Sequence, residues 1–298
     1  MPYEFREPSA IREVVWGHRG VHKQPAGTWS DDGGLMLASL DSLVSVGFDT
    51  TDQGKRFLAW RDAEDYKPGQ IFDVGTTTDA ALDRLRTGAP AEIAGGSAEQ
   101  DNGNGSLMRI IPVSLRFSGA PTKQFLDRVH RASAITHRHP RSLLACGLYS
   151  LVIRELLAGV DANTAVSQAL RHFRAFYEVD PFWAVELDHF QFLLAGSLGD
   201  RPESEIQSSG YVVETLTSSL WCLLTTSGFE ECVLRAVNLG GDTDTTGCVA
   251  GGLAGVHYGL NAIPVKWLGV LARRDEIESL FNNLATLNPG GACAPALA

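Results

Sequence analysis

The sequence has few cysteines, and none of them forms a Cys-x-x-Cys pair. Its 298 residues include five cysteines, an odd number. Reduced thiols in a cytosolic protein are the ordinary explanation for this usage, because small secreted domains pair even numbers of cysteines in disulfide frameworks. No Cys and His set has the spacing of a zinc site. The sequence therefore predicts a cytoplasmic location and gives no sign of zinc chemistry.

Basic residues are outnumbered, and long apolar runs are missing. The chain has 25 Lys and Arg against 35 Asp and Glu, which gives a formal net charge of -10. A diffuse basic face for a phosphate backbone is not expected, because such binding needs many Lys and Arg contacts. We find no signal peptide and no apolar segment of the roughly 20 residues that cross a bilayer. The sequence thus gives no strong nucleic-acid-binding signal and predicts no membrane partner.

Alternating strand patterns, repeats and internal linkers are also scarce, whereas helical periodicity is frequent. Apolar residues recur at helical spacing within 36–44, 144–152, 165–173, 213–224 and 277–284. A chain of this length with 44% hydrophobic residues can bury a substantial core. We predict an all-α fold with one domain over 1–298 and with function on the connecting loops. The tail over 288–298 is rich in Pro, Gly and Ala and is expected to be loose.

Two carboxylates open the first of these helical stretches. Asp31 and Asp32 follow Ser30 directly before the apolar face. A Ser at the N-cap and acidic residues in the first turn suit a helix start on structural grounds. The same side chains carry the oxygen ligands that a hard cation prefers. Taken alone, this cluster favours the structural explanation.

A second oxygen-rich cluster lies far along the chain, in the segment GGDTDTT at 240–246. Asp242 and Asp244 are two positions apart, a spacing that puts side chains on the same side of an extended segment. The hydroxyl of Thr245 follows, and the preceding glycines allow tight folding. Such ligands suit Mg²⁺ or Mn²⁺. The two clusters could form a dinuclear site, in which metals lie about 3.5–4 Å apart.

The sequence resembles the ADP-ribosylglycohydrolase family, which includes the dinitrogenase-reductase-activating glycohydrolase. The landmarks follow the family's order over nearly the whole chain, and the last of them is the most specific. They are PYEF at 2–5, GTWSDD at 27–32, FDVGTTT at 72–78, GNGSLMR at 103–109, THRHP at 136–140, SGYVVETL at 209–216 and GGDTDTTGCVAGGLAG at 240–255. The resemblance implies an all-α fold with two Mg²⁺ or Mn²⁺ ions in a central cleft. It also implies an enzyme that releases ADP-ribose from a modified protein or small-molecule acceptor.

The resemblance further assigns metal ligands and ADP-ribose contacts. The metal ligands are Ser30, Asp31, Asp32, Asp242, Asp244 and Thr245. The ADP-ribose contacts are Gly103, Asn104, Gly105, Ser106, Met108, His137 and Tyr211. Residues 103–106 match the loop that cradles the diphosphate, and glycine N–H groups can bind anionic oxygens without a basic side chain. Tyr211 is suited either to stacking on adenine or to packing at a helix start. We expect Arg109 to be structural and His139 to lie on the surface.

Three carboxylates are candidates for proton transfer. Asp32 belongs to the metal set, and Asp73 resembles an acidic residue near the scissile bond, with a turn or cap role beside Gly75 as the alternative. Glu4 matches an acidic residue that gates the cleft in some relatives. The family normally has a helix containing Gly-Asp-Ala-Leu-Gly directly before PYEF. We therefore expect that helix to be missing here and Glu4 to lie on a frayed terminus.

Other functions stay open at this point. A binding module would keep the ADP-ribose pocket without hydrolysing anything. A structural protein would keep only the fold, against which the intact metal-type residues argue. A metal-dependent phosphohydrolase would split ADP-ribose itself into AMP and ribose phosphate. Within the favoured hydrolase, an arginine-type N-glycosidic bond is the first choice of target, and an O-glycosidic bond to serine is the alternative.

Overall fold

The computed structural model describes residues 20–287 of the chain, and regular structure in that range is almost entirely helical. The α-helices are α1 (Asp31–Val46), α2 (Thr50–Asp62), α3 (Thr76–Arg86), α4 (Ala91–Ala94), α5 (Ile111–Phe117), α6 (Thr122–Ala134), α7 (Pro140–Leu157), α8 (Ala162–Tyr177), α9 (Pro181–Ala184), α10 (Gln191–Leu194), α11 (Val212–Thr225), α12 (Phe229–Asn238), α13 (Thr243–Tyr258), α14 (Val265–Leu268) and α15 (Arg274–Thr286). Short 3-10 helices lie at Glu99–Asp101, Leu107–Arg109, Leu187–Phe190, Leu198–Asp200, Glu203–Glu205 and Leu260–Ala262. β-type pairing within 20–287 amounts to two isolated bridges, Gly96 with His137 and Gly103 with Tyr211. The prediction of a helical fold without a sheet is confirmed.

The helix α7 lies in the interior and is buried on every side. Fourteen of its 18 residues are buried, as expected for a helix whose residues are apolar all round. The helices α5, α6, α8, α11 and α13 pack against it. Pro140 occupies its first turn, and Nδ1 of His139 accepts a hydrogen bond from the backbone N–H of Arg141. His139 is therefore a buried N-cap, 8% exposed, and the prediction that it lies on the surface is wrong.

The starts of α1 and α13 lie close together, and one short turn packs against both helices. The 3-10 turn Leu107–Arg109 contacts α1, α7 and α13. The first N–H groups of a helix have no intrahelical acceptor, and the helix dipole is positive at that end. The N-termini of α1 and α13 together favour negatively charged groups between them. The predicted loose tail and Glu4 both lie outside the described residues. No helix within 20–287 has the length and apolar character needed to cross a membrane.

Candidate functional site

The first predicted cluster begins α1. Ser30 is the N-cap, yet its side chain makes no bond to the helix's own N–H groups. Its hydroxyl instead lies 2.6 Å from Oδ2 of Asp32 and 2.9 Å from Oδ2 of Asp244. Asp31 and Asp32 occupy the first turn and are only 6% and 5% exposed. Helix capping therefore does not explain the Ser30 side chain, which contacts the carboxylates of both clusters.

The second predicted cluster begins α13. Asp242 is the N-cap, and its Oδ1 and that of Asp244 both accept from the backbone N–H of Thr245, at 3.3 Å and 2.9 Å. The segment is thus a helix start, and the argument from an extended segment is wrong. Gly241, just before it, has a φ of 64°, and a Cβ there would lie 1.9 Å from the carbonyl oxygen of Ser208. Only glycine allows this turn.

Asp73 belongs to a third segment that lies beside the two acidic clusters. Its φ is 58°, a conformation that residues other than glycine adopt rarely and often at functional sites. Its Oδ2 lies 3.3 Å from Nε2 of His22, and its carboxyl group lies close to that of Asp244, so that a hydrogen bond between the two needs a proton on one of them. The backbone of Gly75 bonds to Asp31. Gly75, rather than Asp73, is the N-cap of α3, so a cap role does not account for Asp73.

Burial and mutual repulsion raise the pKa values of these carboxyl groups. Burial first, and then the neighbouring Asp244, raise the pKa values of Asp31 and Asp32 well above the ordinary 3.8. The same two causes raise the pKa of Asp242 to about 6. Burial also raises the pKa of Asp73. Because like charges in a poorly solvated space favour the neutral forms, the cluster needs protons or a cation to balance it.

The donor set of the cluster fits a hard cation. Oδ1 of Asp32 is buried and has no hydrogen-bond partner among the described residues, which is uncommon for a carboxylate oxygen. The surrounding side chains of Ser30, Asp244 and Thr245 also carry oxygens, the atoms that Mg²⁺ and Mn²⁺ prefer. Within 20–287, no three His, Cys, Asp or Glu side chains stand in a ready-made metal-binding arrangement. Binding would therefore require the carboxylate side chains to adjust.

Asn104 joins the glycine-rich loop to the acidic cluster. Its Nδ2 donates to Oδ2 of Asp242 at 2.8 Å and to Oγ1 of Thr215 at 2.9 Å. The bridge between Gly103 and Tyr211 holds the same loop beside the start of α11. The loop predicted to cradle a diphosphate thus lies next to the predicted metal ligands, and the amide of Asn104 is committed to holding Asp242.

The backbone of this glycine-rich loop, rather than its side chains, is available to contact a ligand. At Gly105 a Cβ would lie 2.8 Å from Cε1 of His137 and 2.9 Å from Oγ1 of Thr78, so a side chain has no room. Ser106 is 0% exposed and Met108 is 4% exposed, and both side chains point into the interior. A contact of either residue with a substrate would use backbone atoms.

Tyr211 is half-buried at the N-cap of α11. The guanidinium carbon of Arg141 lies 5.9 Å from the centre of its ring. Arg141 is itself held by Glu99, at 2.6 Å, and by Glu186, at 2.8 Å. The phenol ring is therefore supported by a fixed cation while part of it stays accessible.

Three residues near the site were not predicted from the sequence. His22 pairs with Asp73, which lies in a distant landmark, and no local pattern indicates such a pair. Arg141 contacts the ring of Tyr211, which is also distant in sequence, and no local pattern indicates this contact either. Thr136 lies within the THRHP landmark but was not singled out. Its hydroxyl links Arg109 to His137.

The chain is similar to known proteins over nearly its whole length. A family model described as ADP-ribosylglycohydrolase matches residues 1–292. ADP-ribosylarginine hydrolase Tri1 of Serratia proteamaculans (strain 568) is 29% identical over 287 residues, which cover 95% of this chain and 74% of that protein. ADP-ribosyl-[dinitrogen reductase] glycohydrolase of Rhodospirillum rubrum is 30% identical over 290 residues, which cover 92% of this chain and 86% of that protein.

The fold is also similar to that of a solved structure. A chain described as an ADP-ribosylglycohydrolase-related protein complex superposes with a TM-score of 0.76 and 33% sequence identity, covering 93% of this chain and 88% of that chain. Sequence and fold therefore agree over nearly the full length, and the similar proteins are named as hydrolases of ADP-ribosyl groups. This chain belongs to the ADP-ribosylglycohydrolase family of enzymes.

Proposed function

We propose that this protein hydrolyses the N-glycosidic bond between ADP-ribose and an arginine-type acceptor, and that it requires two Mg²⁺ or Mn²⁺ ions. Hydrolysis of an ADP-ribose glycosidic bond is supported by family membership. The arginine-type acceptor is supported by two relatives named ADP-ribosylarginine hydrolase Tri1, from Serratia proteamaculans (strain 568) and Pseudomonas putida (strain GB-1), each 29% identical. The metal requirement is supported by the chemistry of the acidic cluster.

One observation carries the proposal: the Ser30 hydroxyl lies within hydrogen-bond distance of both Asp32 and Asp244. Buried carboxylates from two helix starts are costly unless something positive balances them. The oxygens that would hold the ions belong to Ser30, Asp31, Asp32, Asp242, Asp244 and Thr245. When bound, such ions supply positive charge that orients ribose hydroxyls and polarises water.

The chain's own residues would bind and orient ADP-ribose. Backbone N–H groups of Gly103 and Gly105 suit the diphosphate, because glycines let the backbone approach anionic oxygens closely. The ring of Tyr211 has accessible surface on which adenine can stack. His137 borders the same loop, with its ring beside Gly105. These groups would direct the ribose whose anomeric carbon is attacked toward the acidic cluster. Asn104 connects the glycine-rich loop to that cluster through its hydrogen bond to Asp242.

Among the three candidate carboxylates, we assign the transfer of the attacking water's proton to Asp73. A raised pKa makes a carboxylate a better base near neutral pH, and burial raises that of Asp73. In the proposed reaction the water oxygen bonds to the anomeric carbon while the bond from that carbon to the guanidine nitrogen breaks. Asp73 takes one proton from the water, and a proton returns to the leaving nitrogen. Asp32 and Glu4 are the other candidates for this role, and Glu4 lies outside the described residues.

The test is the double variant Asp242→Asn/Asp244→Asn in an ADP-ribose release assay. Acceptors would include ADP-ribosyl-arginine and ADP-ribosyl-serine proteins, each with EDTA, Mg²⁺ or Mn²⁺. We expect the arginine substrate to be turned over only with metal, and the variant to lose at least about a hundredfold in rate. The matched control Asp62→Asn/Asp83→Asn removes the same charge from two exposed positions and should keep full activity.

Unchanged metal-dependent turnover in the double variant would remove the metal proposal. Calorimetry with ADP-ribose identifies the other functions. Binding of ADP-ribose without release from any acceptor would mean a binding module. Formation of AMP from free ADP-ribose would mean a phosphohydrolase.

A further inference from the structure

His137 lies at the end of a hydrogen-bond chain that begins at a buried arginine. Arg109 is 1% exposed and has no carboxylate partner within 20–287. Its Nη1 and Nη2 each lie 3.1 Å from the carbonyl oxygen of Ala132, and Nη2 lies 2.7 Å from Oγ1 of Thr136. Burial lowers the pKa of Arg109 to about 10, so the guanidinium stays charged at neutral pH. Because a guanidinium only donates, the Thr136 hydroxyl accepts this bond.

The hydroxyl of Thr136 then has one hydrogen to donate. Thr136 is fully buried, and its Oγ1 lies 2.9 Å from Nδ1 of His137. In the part of the chain that the structure describes, this hydroxyl reaches no other acceptor. If Nδ1 carried a proton, the hydroxyl hydrogen would be buried without a partner, which costs about 1–3 kcal/mol. Nδ1 is therefore the acceptor, and the ring proton sits on Nε2.

Nε2 of His137 faces the glycine-rich loop. A Cβ on Gly103 would lie 3.5 Å from this atom, and one on Gly105 would lie 3.4 Å from it. His137 is 2% exposed, and Nε2 has no hydrogen-bond partner among the described residues. Burial, with a smaller contribution from Arg109, lowers the pKa of His137 to about 3, so the ring is neutral. A ring N–H that has no protein acceptor and lies beside a glycine-rich loop is available to donate to an oxygen of a ligand.

We propose that Arg109 and Thr136 are positioning residues that fix His137, which the family resemblance already assigns to ADP-ribose, as its Nε2–H tautomer, so that this N–H is the donor that the ring offers to the ligand. The identity of the ligand rests on the proposed function, whereas the tautomer does not. Arg109 and Thr136 touch no substrate in this arrangement and act only through His137. A neutral donor adds no further charge to a site whose acidic cluster is proposed to bind cations.

The first experiment measures the tautomer in the wild-type protein without any ligand. Protein labelled with ¹⁵N in its histidines is studied by long-range ¹H–¹⁵N correlation, and the His137 signals are assigned by their loss in His137→Gln. We expect a protonated Nε2 and an unprotonated Nδ1 at neutral pH. A protonated Nδ1, alone or in an imidazolium, would overturn the proposal. This readout is independent of whether the enzyme acts on arginine, serine or any other acceptor.

The second experiment compares two variants of Thr136 by calorimetry with ADP-ribose. Thr136→Val keeps the side-chain shape but removes the hydroxyl, so we expect mixed His137 tautomers and ADP-ribose binding weaker by about fivefold. Thr136→Ser keeps the hydroxyl and should keep both the tautomer and the affinity. The control Thr217→Val removes a buried hydroxyl that bonds to the carbonyl oxygen of Val213 within α11, and it should change neither.

The outcomes separate this inference from the proposed function. Retention of the tautomer and the affinity in Thr136→Val would overturn the role of Thr136. If that variant does not fold, the wild-type tautomer decides the question alone. If the wild type fails to bind ADP-ribose, the ligand assignment and the proposed function both fall, while the tautomer still decides whether Arg109 and Thr136 position His137.

Discussion

The hydroxyl oxygen of Ser30 lies 2.9 Å from Oδ2 of Asp244, although 214 residues separate the two in sequence. The contact joins the N-terminal ends of α1 and α13, and both ends favour negative charge. The same hydroxyl lies 2.6 Å from Asp32, yet it has a single hydrogen to share between two carboxylates. The negative charge of the cluster therefore has to be balanced by protons or by a bound cation.

Removing the hydroxyl of Ser30 should weaken metal-dependent turnover. We expect Ser30→Ala to lose roughly 10–100-fold in kcat/KM at low Mg²⁺, because groups that hold or orient metal ligands typically have effects of that size. Ser30→Thr retains the hydroxyl and should stay within about threefold of wild type. The measurement is the rate of ADP-ribose release as a function of Mg²⁺ concentration. Identical Mg²⁺ dependence in Ser30→Ala and wild type would contradict a ligand role for this side chain.

Metal binding should raise the thermal stability of the protein. A ligand that binds only the folded state at 100 times its Kd adds about 2.7 kcal/mol to the free energy of unfolding. For a chain of this size such a gain raises the Tm by several degrees. We expect Mg²⁺ or Mn²⁺ to produce this shift relative to EDTA in a thermal scan at neutral pH. The shift should vanish in Asp242→Asn/Asp244→Asn and persist in Asp62→Asn/Asp83→Asn. Equal shifts in both double variants would place the ions elsewhere.

The ring of Tyr211 should contribute to ADP-ribose affinity. Stacking of a base on an aromatic side chain is worth about 1–3 kcal/mol when measured by alanine substitution. Tyr211→Ala is therefore expected to raise the Kd for ADP-ribose by about tenfold, and Tyr211→Phe should retain the wild-type value. Calorimetry measures both. Equal Kd values for Tyr211→Ala and wild type would favour the alternative, in which the ring is a packed helix-start residue.

His130 should make the free energy of unfolding fall in mild acid. Its Nε2 lies 2.6 Å from the hydroxyl oxygen of Tyr177, and burial lowers the pKa of His130 from 6.5 to about 4. Between these pH values the unfolded chain binds more protons at this site than the folded protein does. The free energy of unfolding therefore falls as the pH falls from 6.5 toward 4, by up to about 1.4 kcal/mol per pH unit from this group.

The control for this prediction is His130→Gln, which cannot titrate in this range. Urea unfolding at pH 7 and pH 5 gives the change in the free energy of unfolding for each protein. The carboxylates near α1 and α13 are the same in both proteins, so their contribution cancels in the difference. A pH dependence that is equal in His130→Gln and wild type would show that His130 is not held neutral by the fold.

Helix positions and the first acidic turn were predictable because their causes are local. Asp31 and Asp32 precede an apolar face with helical spacing, and α1 begins there. Hydrogen bonds within a helix join residues four positions apart, so a short window of sequence contains the information. The position of His139 was predicted wrongly because the burial of an N-cap depends on what packs around α7. A His-Pro pair before an apolar stretch was the local signal available.

The side-chain contacts between distant segments at the site were not predictable from local sequence patterns. The positive φ of Asp73 and its pairing with His22 depend on segments that are distant in sequence. The chain from Arg109 through Thr136 to His137 depends on a buried guanidinium whose acceptors lie on α6 and just after it. Side-chain geometry of this kind is set by packing across elements, which a single sequence does not encode in its periodicity.

The sequence by itself determined that the protein is helical and that oxygen-bearing side chains cluster in two distant segments, at 30–32 and at 242–245. It also determined a family resemblance strong enough to name the chemistry to be tested. Only the tertiary structure decided that Asp32 and Asp244 share one space, that the loop containing Asn104 contacts Asp242, and which side chains of that loop are buried. The physical reason is that helix formation depends on near neighbours, whereas the meeting of α1 and α13 depends on the burial of apolar surface over the whole chain.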